Sequence, residues 1–122
     1  MIARTLVGLT ALSVASVASA QWVPGSEIIG QQVQVETNGI VNTVIFDRGG
    51  IAHISSPSGK TVVDATWSAA GNKLCLQTEN TYDCYPYLSP FTARVPVNLL
   101  SDCGVMSQWT ALTTYVAPFE RG

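Results

Sequence analysis

The feature that most restricts what this chain can become is its punctuation. From residue 32 to residue 112, short runs rich in Val, Ile, Thr and Tyr alternate with turn-forming residues. The spacing is about 8–12 residues, the cadence of an all-β domain built from short strands. The clearest unit is the first. Val33 and Val35 alternate with Gln32, Gln34 and Glu36, the period of two expected of a half-buried strand. Asn38-Gly39 follows, and Asn-Gly supplies both positive-φ residues of a type I′ turn, whose twist suits the strands it joins. The β-branched run Val41–Phe46 completes a hairpin over 32–46.

Further strands are expected over Ile51–Ser55, Lys60–Ser68, Lys73–Gln77, Tyr82–Tyr87, Val95–Leu100 and Val105–Leu112. Between them lie Asp47-Arg48-Gly49-Gly50, Pro57-Ser58-Gly59, Ala69–Asn72, Glu79-Asn80, a longer Pro- and Ser-containing loop after Pro86, and Asp102-Cys103-Gly104. Upstream, Pro24-Gly25 marks a turn, and Ser26-Glu27 opens a single helical turn. No helical period competes with this reading after Gln21. Short links favour antiparallel neighbours, and a meander protects its edges best by closing on itself. The expected fold is therefore all-β: a small antiparallel meander of about eight strands forming a barrel or half-barrel, with a two-sheet sandwich as the alternative.

The first 20 residues read differently. A basic start (Met1–Arg4), an apolar run (Thr5–Val14) and Ala18-Ser19-Ala20 form the pattern of a secretory signal peptide cleaved after Ala20. The apolar run falls short of the ~20 residues needed to span a bilayer. The expected organisation is a signal over 1–20, one β domain over 21–112 and a tail over 113–122. The expected location is periplasmic or secreted, with no transmembrane segment in the mature chain. Arg4 is the one charge that leaves with the signal, so five of the six cations remain against eight carboxylates, a net −3. No basic cluster is present, so nucleic acid is not an expected partner.

Chemistry-bearing residues are sparse. With Glu79-Asn80 at a hairpin tip, Thr78 faces Thr81, Gln77 faces Tyr82 and Cys75 faces Cys84. Cross-strand neighbours lie ~4.5–5.5 Å apart, within reach of a disulfide, and an oxidising compartment favours the bond. Cys75–Cys84 is thus expected as a structural bridge, leaving Cys103 as the odd one out in a turn, with three states open to it: buried and inert, paired between chains, or competing for one of the other two cysteines. Asp102 beside it should raise its thiol pKa, the wrong direction for a nucleophile. His53 is the one histidine. A Cys103–His53–Asp64 triple can be written on paper, but no glycine-flanked nucleophile turn accompanies it. One histidine and scattered carboxylates give no zinc-ligand spacing, Asp47–Gly50 lacks the alternating oxygens of a calcium loop, and no glycine-rich loop opens a helix. No catalytic, cofactor-binding or metal-binding residue is expected.

Among the aromatics, Trp67 shares a face with Val63 and Ala65 and is assigned to the core. Tyr85 and Tyr87 share a face across from Leu74 and are expected to cap the barrel end with wet hydroxyls, with the lining of a ligand-accepting mouth as the alternative. The Thr66–Tyr87 stretch, with its Trp, two Cys and three Tyr, is expected to organise the domain. The pattern Gly39…Phe46-x-x-Gly49-Gly50, Gly59…Thr66-Trp67…Leu74-Cys75-Leu76…Cys84-Tyr85-Pro86-Tyr87 resembles a group of small secreted bacterial β-domain proteins. That resemblance implies a fold and a compartment but no activity. A more distant likeness is to lipocalin-like domains and small barrel inhibitors of bacterial proteases, although the lipocalin G-x-W near the mature N-terminus is missing. The expected function is non-catalytic binding of a protein or surface partner in the envelope, including inhibition of a secreted hydrolase. The alternative is carriage of a small apolar ligand.

Overall fold

The computed structural model describes residues 21–115. The expected signal and the tail from residue 116 lie outside the described residues. Eight antiparallel strands form one sheet: β1 (Gln32–Thr37), β2 (Ile40–Asp47), β3 (Ile51–Ser55), β4 (Val62–Ala70), β5 (Lys73–Gln77), β6 (Tyr82–Pro86), β7 (Val97–Leu100) and β8 (Met106–Ala111). Their order is β6-β5-β4-β3-β2-β1-β8-β7. Each strand pairs with its neighbour in sequence except β6 and β7, and β8 closes onto β1 through Val33↔Ala111 to Glu36↔Gln108. The result is an up-and-down barrel with one seam, between β6 and β7, that carries no strand ladder.

Turn chemistry accounts for the corners. Asn38 and Gly39 adopt φ of 53° and 83°, as their pairing requires. Asn72 and Gly71 do the same at the β4–β5 corner, with φ of 64° and 60°. That tight corner lets Ala69 and Ala70 stay paired with Leu74 and Lys73, so β4 runs on past Ser68. At its other end β4 starts at Val62, because the Ser56 amide bonds the Thr61 carbonyl and draws 56–61 into the turn.

Alternation puts Val33, Val44, Phe46, Ala52, Ala65, Leu74, Trp109 and Ala111 in the interior. Trp109, fully buried, lies at its centre. It stacks between Phe46 and Phe91 at centroid distances of 6.4 and 6.0 Å, with the Tyr85 ring 4.8 Å away. Trp67 faces inward as expected, packs its ring on Phe46 and donates its indole N–H to the Asp47 carbonyl at 2.9 Å. The centre of the core is therefore in β8, and the Thr66–Tyr87 stretch forms one wall around it.

One end of the barrel is plugged by residues 22–31. This segment forms successive turns and a single bridge, Ile29↔Phe46, in place of a helical turn at Ser26-Glu27. It crosses close to Trp67: a Cβ on Gly25, whose φ is 91°, would sit 2.9 Å from the indole ring. Glu27 holds the plug. Only 7 % exposed, its carboxylate accepts bonds from Trp22 Nε1 (2.9 Å), the Phe91 amide (2.9 Å) and the Tyr87 hydroxyl. Tyr87 caps this end as expected, but its hydroxyl is dry, held between Glu27 and the Gly25 amide. Burial, then the bond to Glu27 and its charge, push the phenol far above its ordinary range. Tyr115 and Thr113, the first residues of the expected tail, are tied to the plug through Tyr115 N–Glu27 O and Thr113 Oγ1–Gln31 Oε1.

Candidate functional site: the seam between β6 and β7

Cys75 and Cys84 face each other in the expected register and are disulfide-bonded, with Cα atoms 4.0 Å apart. The bond lies on the outer face of the barrel, since Leu74 and Tyr85 point inward. A disulfide is compatible with an oxidising compartment. Among the described residues no helix is long and apolar enough to cross a membrane.

The short Cα separation marks Cys75–Cys84 as a pair that does not exchange main-chain bonds. The Cys84 N–H and C=O therefore face the seam. Both are taken: the N–H donates to Asp83 Oδ1 at 2.9 Å and the C=O accepts from the Asp102 amide at 2.9 Å. The Cys103 amide also donates to Asp83 Oδ1, at 3.2 Å, and the Cys103 thiol lies 3.7 Å from the Tyr82 carbonyl. Lys73 Nζ pairs with Asp102 at 2.6 Å. Pro86, at the end of β6, has no N–H to offer. The 101–104 turn is thus a clasp that closes the seam at one end and stops the β6 edge.

Asp83 is the centre of the clasp. Burial raises its carboxyl, but the hydrogen bonds from Ser101, Cys103 and Cys84 outweigh this and hold it below the ordinary value. Cys103, whose state the sequence left open, is free and exposed, and its thiol is pushed up. The main cause is the bonded Asp83 carboxylate, with the charge of Asp102 adding to it. Sequence proximity identifies Asp102 but not Asp83, which is 20 residues away and meets Cys103 across the seam.

The β7 edge is different. The Ser101 amide bonds the Val105 carbonyl at 2.8 Å. Alternation along the β7–β8 register, Leu100↔Met106 to Val97↔Trp109, then turns the Asn98 and Leu100 main-chain groups away from β8. Among the described residues no strand pairs with that side of β7. Beside it lies an apolar groove of about 210 Å³, walled by Pro86, Leu88, Pro90 and Phe91 on one side and Val97 and Leu99 on the other. The rim is also apolar: Leu88 is 71 % exposed and Leu100 53 %, with Val95, Val105 and Met106 also exposed. Phe91 and Val97 in turn rest on Trp109, whose buried indole N–H has no acceptor among the described residues.

A second, shallower groove of about 480 Å³ crosses the outside of β3–β5 past Ile51, His53, Asp64, Thr66, Gln77 and Glu79. His53 engages Asp64 through Nδ1 (2.9 Å) and Asp47 through Nε2 (3.3 Å), so both ring nitrogens are occupied. Cys103 sits beside β6, three strands from β3, so the paper triple Cys103–His53–Asp64 is not assembled. Among the described residues no group of three or more His, Cys, Asp or Glu is placed to hold a metal. No protein-family model, curated protein or solved structure matches this chain.

Proposed function

We propose that this protein is a non-catalytic binding domain, exported to the envelope, that holds a protein partner at the β6–β7 seam. One observation carries the reading: among the described residues the β7 edge is paired with no strand, and it is bordered by exposed Leu88, Val95, Leu100 and Met106. Contiguous exposed apolar side chains on a soluble domain mark an interaction surface, and an unpaired strand edge adds main-chain bonding capacity to it. The aromatic rings filling the interior around Trp109 support a surface interaction over carriage of a small apolar ligand, which requires a hollow barrel. Inhibition of a secreted hydrolase is one form that such binding takes.

The test compares capture of partners from an envelope extract by the wild-type domain, by Leu88→Glu/Leu100→Glu, and by Thr66→Lys in the opposite groove. A partner retained by wild type and Thr66→Lys but lost by the double variant is the expected result. Equal capture by all three, or capture lost only with Thr66→Lys, overturns the assignment.

A further inference from the structure

The groove outside β3–β5 comes from a difference in strand length. β4 pairs with β3 along Val62–Thr66, but its ladder with β5 runs only from Thr66↔Gln77 to Ala70↔Lys73. The first half of β4 therefore has a strand on one side alone. Continued two residues past its end, the β4–β5 register sets Asp64 across from Glu79, where the chain has already turned toward β6. The gap is the groove of about 480 Å³, and Ala65, otherwise an interior residue, lines it because the strands part there. Main-chain groups are left over in the gap. Cys75 exchanges no main-chain bonds with Cys84, so its N–H and C=O face Ser68; alternation then turns those of Thr66 toward Gln77 and those of Asp64 into the gap. Among the described residues no backbone group bonds Asp64 across it.

We propose that this groove is a binding site for a small primary amine, in its ammonium form, carried on an apolar stem. Charge selects the head of the ligand. Asp64 and Glu79 line the groove, Asp47 stands behind His53, and among the described residues no Lys or Arg lines it. Three carboxylates are thus offset by at most one positive charge, that of His53 when protonated. Asp64 gives Oδ1 to His53 Nδ1 at 2.9 Å, which leaves its second carboxylate oxygen, its open carbonyl and the Glu79 carboxylate as acceptors. An ammonium brings three donors and no acceptor, the complement of that set. Ile51, Ala65 and the Thr66 methyl give the stem an apolar surface. Size selects a free ligand, because small-molecule sites span roughly 300–1,000 Å³. A bare metal ion is a poorer match, since among the described residues no group of three His, Cys, Asp or Glu is placed to hold one. The site does not rest on the seam reading: it uses β3–β5, and the seam lies between β6 and β7.

The experiment titrates the full exported protein with three probes and follows the amide shifts of Asp64, Thr66 and Glu79 by NMR. Hexylammonium carries both charge and stem, hexanol keeps the stem without the charge, and tetramethylammonium keeps the charge without an N–H. Hexylammonium should shift all three amides saturably and bind at least tenfold more tightly than either of the others. Raising the salt to about 0.5 M should weaken it severalfold by screening. Thr66→Lys sets a second ammonium in the groove and should weaken hexylammonium at least tenfold. Glu79→Gln removes one exposed carboxylate and should weaken it about threefold. Should the Lys variant fail to fold, Glu79→Gln decides alone. Leu88→Glu/Leu100→Glu, at the seam, should bind hexylammonium as wild type does. No saturable shift at millimolar hexylammonium overturns the site. Equal binding of hexanol reduces the groove to apolar contact and overturns the stated ligand, as equal binding of tetramethylammonium overturns recognition of the N–H groups. Affinity unchanged in both groove variants, or lost only in the seam variant, places the amine elsewhere and overturns the assignment.

Discussion

Replacing Glu27 with Gln removes a charge and almost nothing else, which makes it a sharp probe of how the barrel end is held. The carboxylate accepts three hydrogen bonds, from Trp22 Nε1 on one oxygen and from the Phe91 amide and Tyr87 hydroxyl on the other. Gln has one acceptor oxygen. Its best arrangement keeps the Phe91 and Tyr87 bonds and turns its NH₂ toward Trp22, donor against donor. The two surviving bonds lose their charge assistance, about 1 kcal/mol each, and the Trp22 bond is lost for about 1 kcal/mol more. The expected destabilisation is about 2–4 kcal/mol. Glu27→Ala leaves the Phe91 amide and Tyr87 hydroxyl without their acceptor as well, and should cost more than Gln. A domain of this size holds about 5–15 kcal/mol in total, and each kcal/mol moves its midpoint by about 4–8 °C. Glu27→Gln should therefore melt at least about 8 °C below wild type, read by tryptophan fluorescence and circular dichroism together. A Gln variant within about 1 °C of wild type would refute the argument that this carboxylate anchors the plug.

Cys75→Ser opens a loop of sequence separation 9, and the chain-entropy relation gives about 2.5–3 kcal/mol for a loop of that size; a smaller fall in the urea midpoint would show the bridge to be redundant with the β5–β6 ladder. Cys103, although exposed, should react slowly with an alkylating reagent at pH 8 because Asp83 and Asp102 disfavour its thiolate, and Asp83→Asn should speed it severalfold; an unchanged rate would remove Asp83 from the explanation. Asp83 itself has a depressed pKa, so its contribution is present above the unfolded value of 3.8 and fades as pH falls through the folded one; exchange of the Cys103 and Asp102 amides should quicken in that acid range, and acid-insensitive protection would contradict it. Tyr87 has a raised pKa, so its contribution is intact below the unfolded value of 10.0 and is lost as pH climbs toward the folded one; its phenolate should appear at 295 nm only together with alkaline unfolding, and ionisation in the still-folded protein would refute the buried Glu27 bond.

The sequence by itself determined the local geometry of this barrel. Asn38-Gly39 specified a type I′ corner because few other residue pairs tolerate two positive φ angles. That corner, with the alternation of Val33 and Val35, fixed which face of β1 is buried. The Glu79-Asn80 tip set the register that brings Cys75 opposite Cys84. Such features were legible because a turn and its two strands involve residues close in sequence, and a one-residue slip would reverse every side chain. The paper triple of Cys103, His53 and Asp64 did not assemble, because Cys103 sits beside β6 and His53 lies on β3.

What only tertiary structure decided is where the sheet fails to close and what is done about it. Closure depends on strand twist and stagger accumulated over eight strands, and no local pattern encodes that sum. Pro86 and Pro90 announced a break after β6, yet not that β8 would reach β1 and leave β7 with a free edge. Ser26-Glu27 read only as the opening of a helical turn, because the partners of Glu27, Tyr87 and Phe91, lie 60 and 64 positions away. Asp83 likewise meets Cys103 only because the 101–104 turn folds over β6. The candidate site is built from these long-range encounters: the Glu27 side chain buried at one end, a clasp at the other, and between them an edge that no strand among the described residues pairs with.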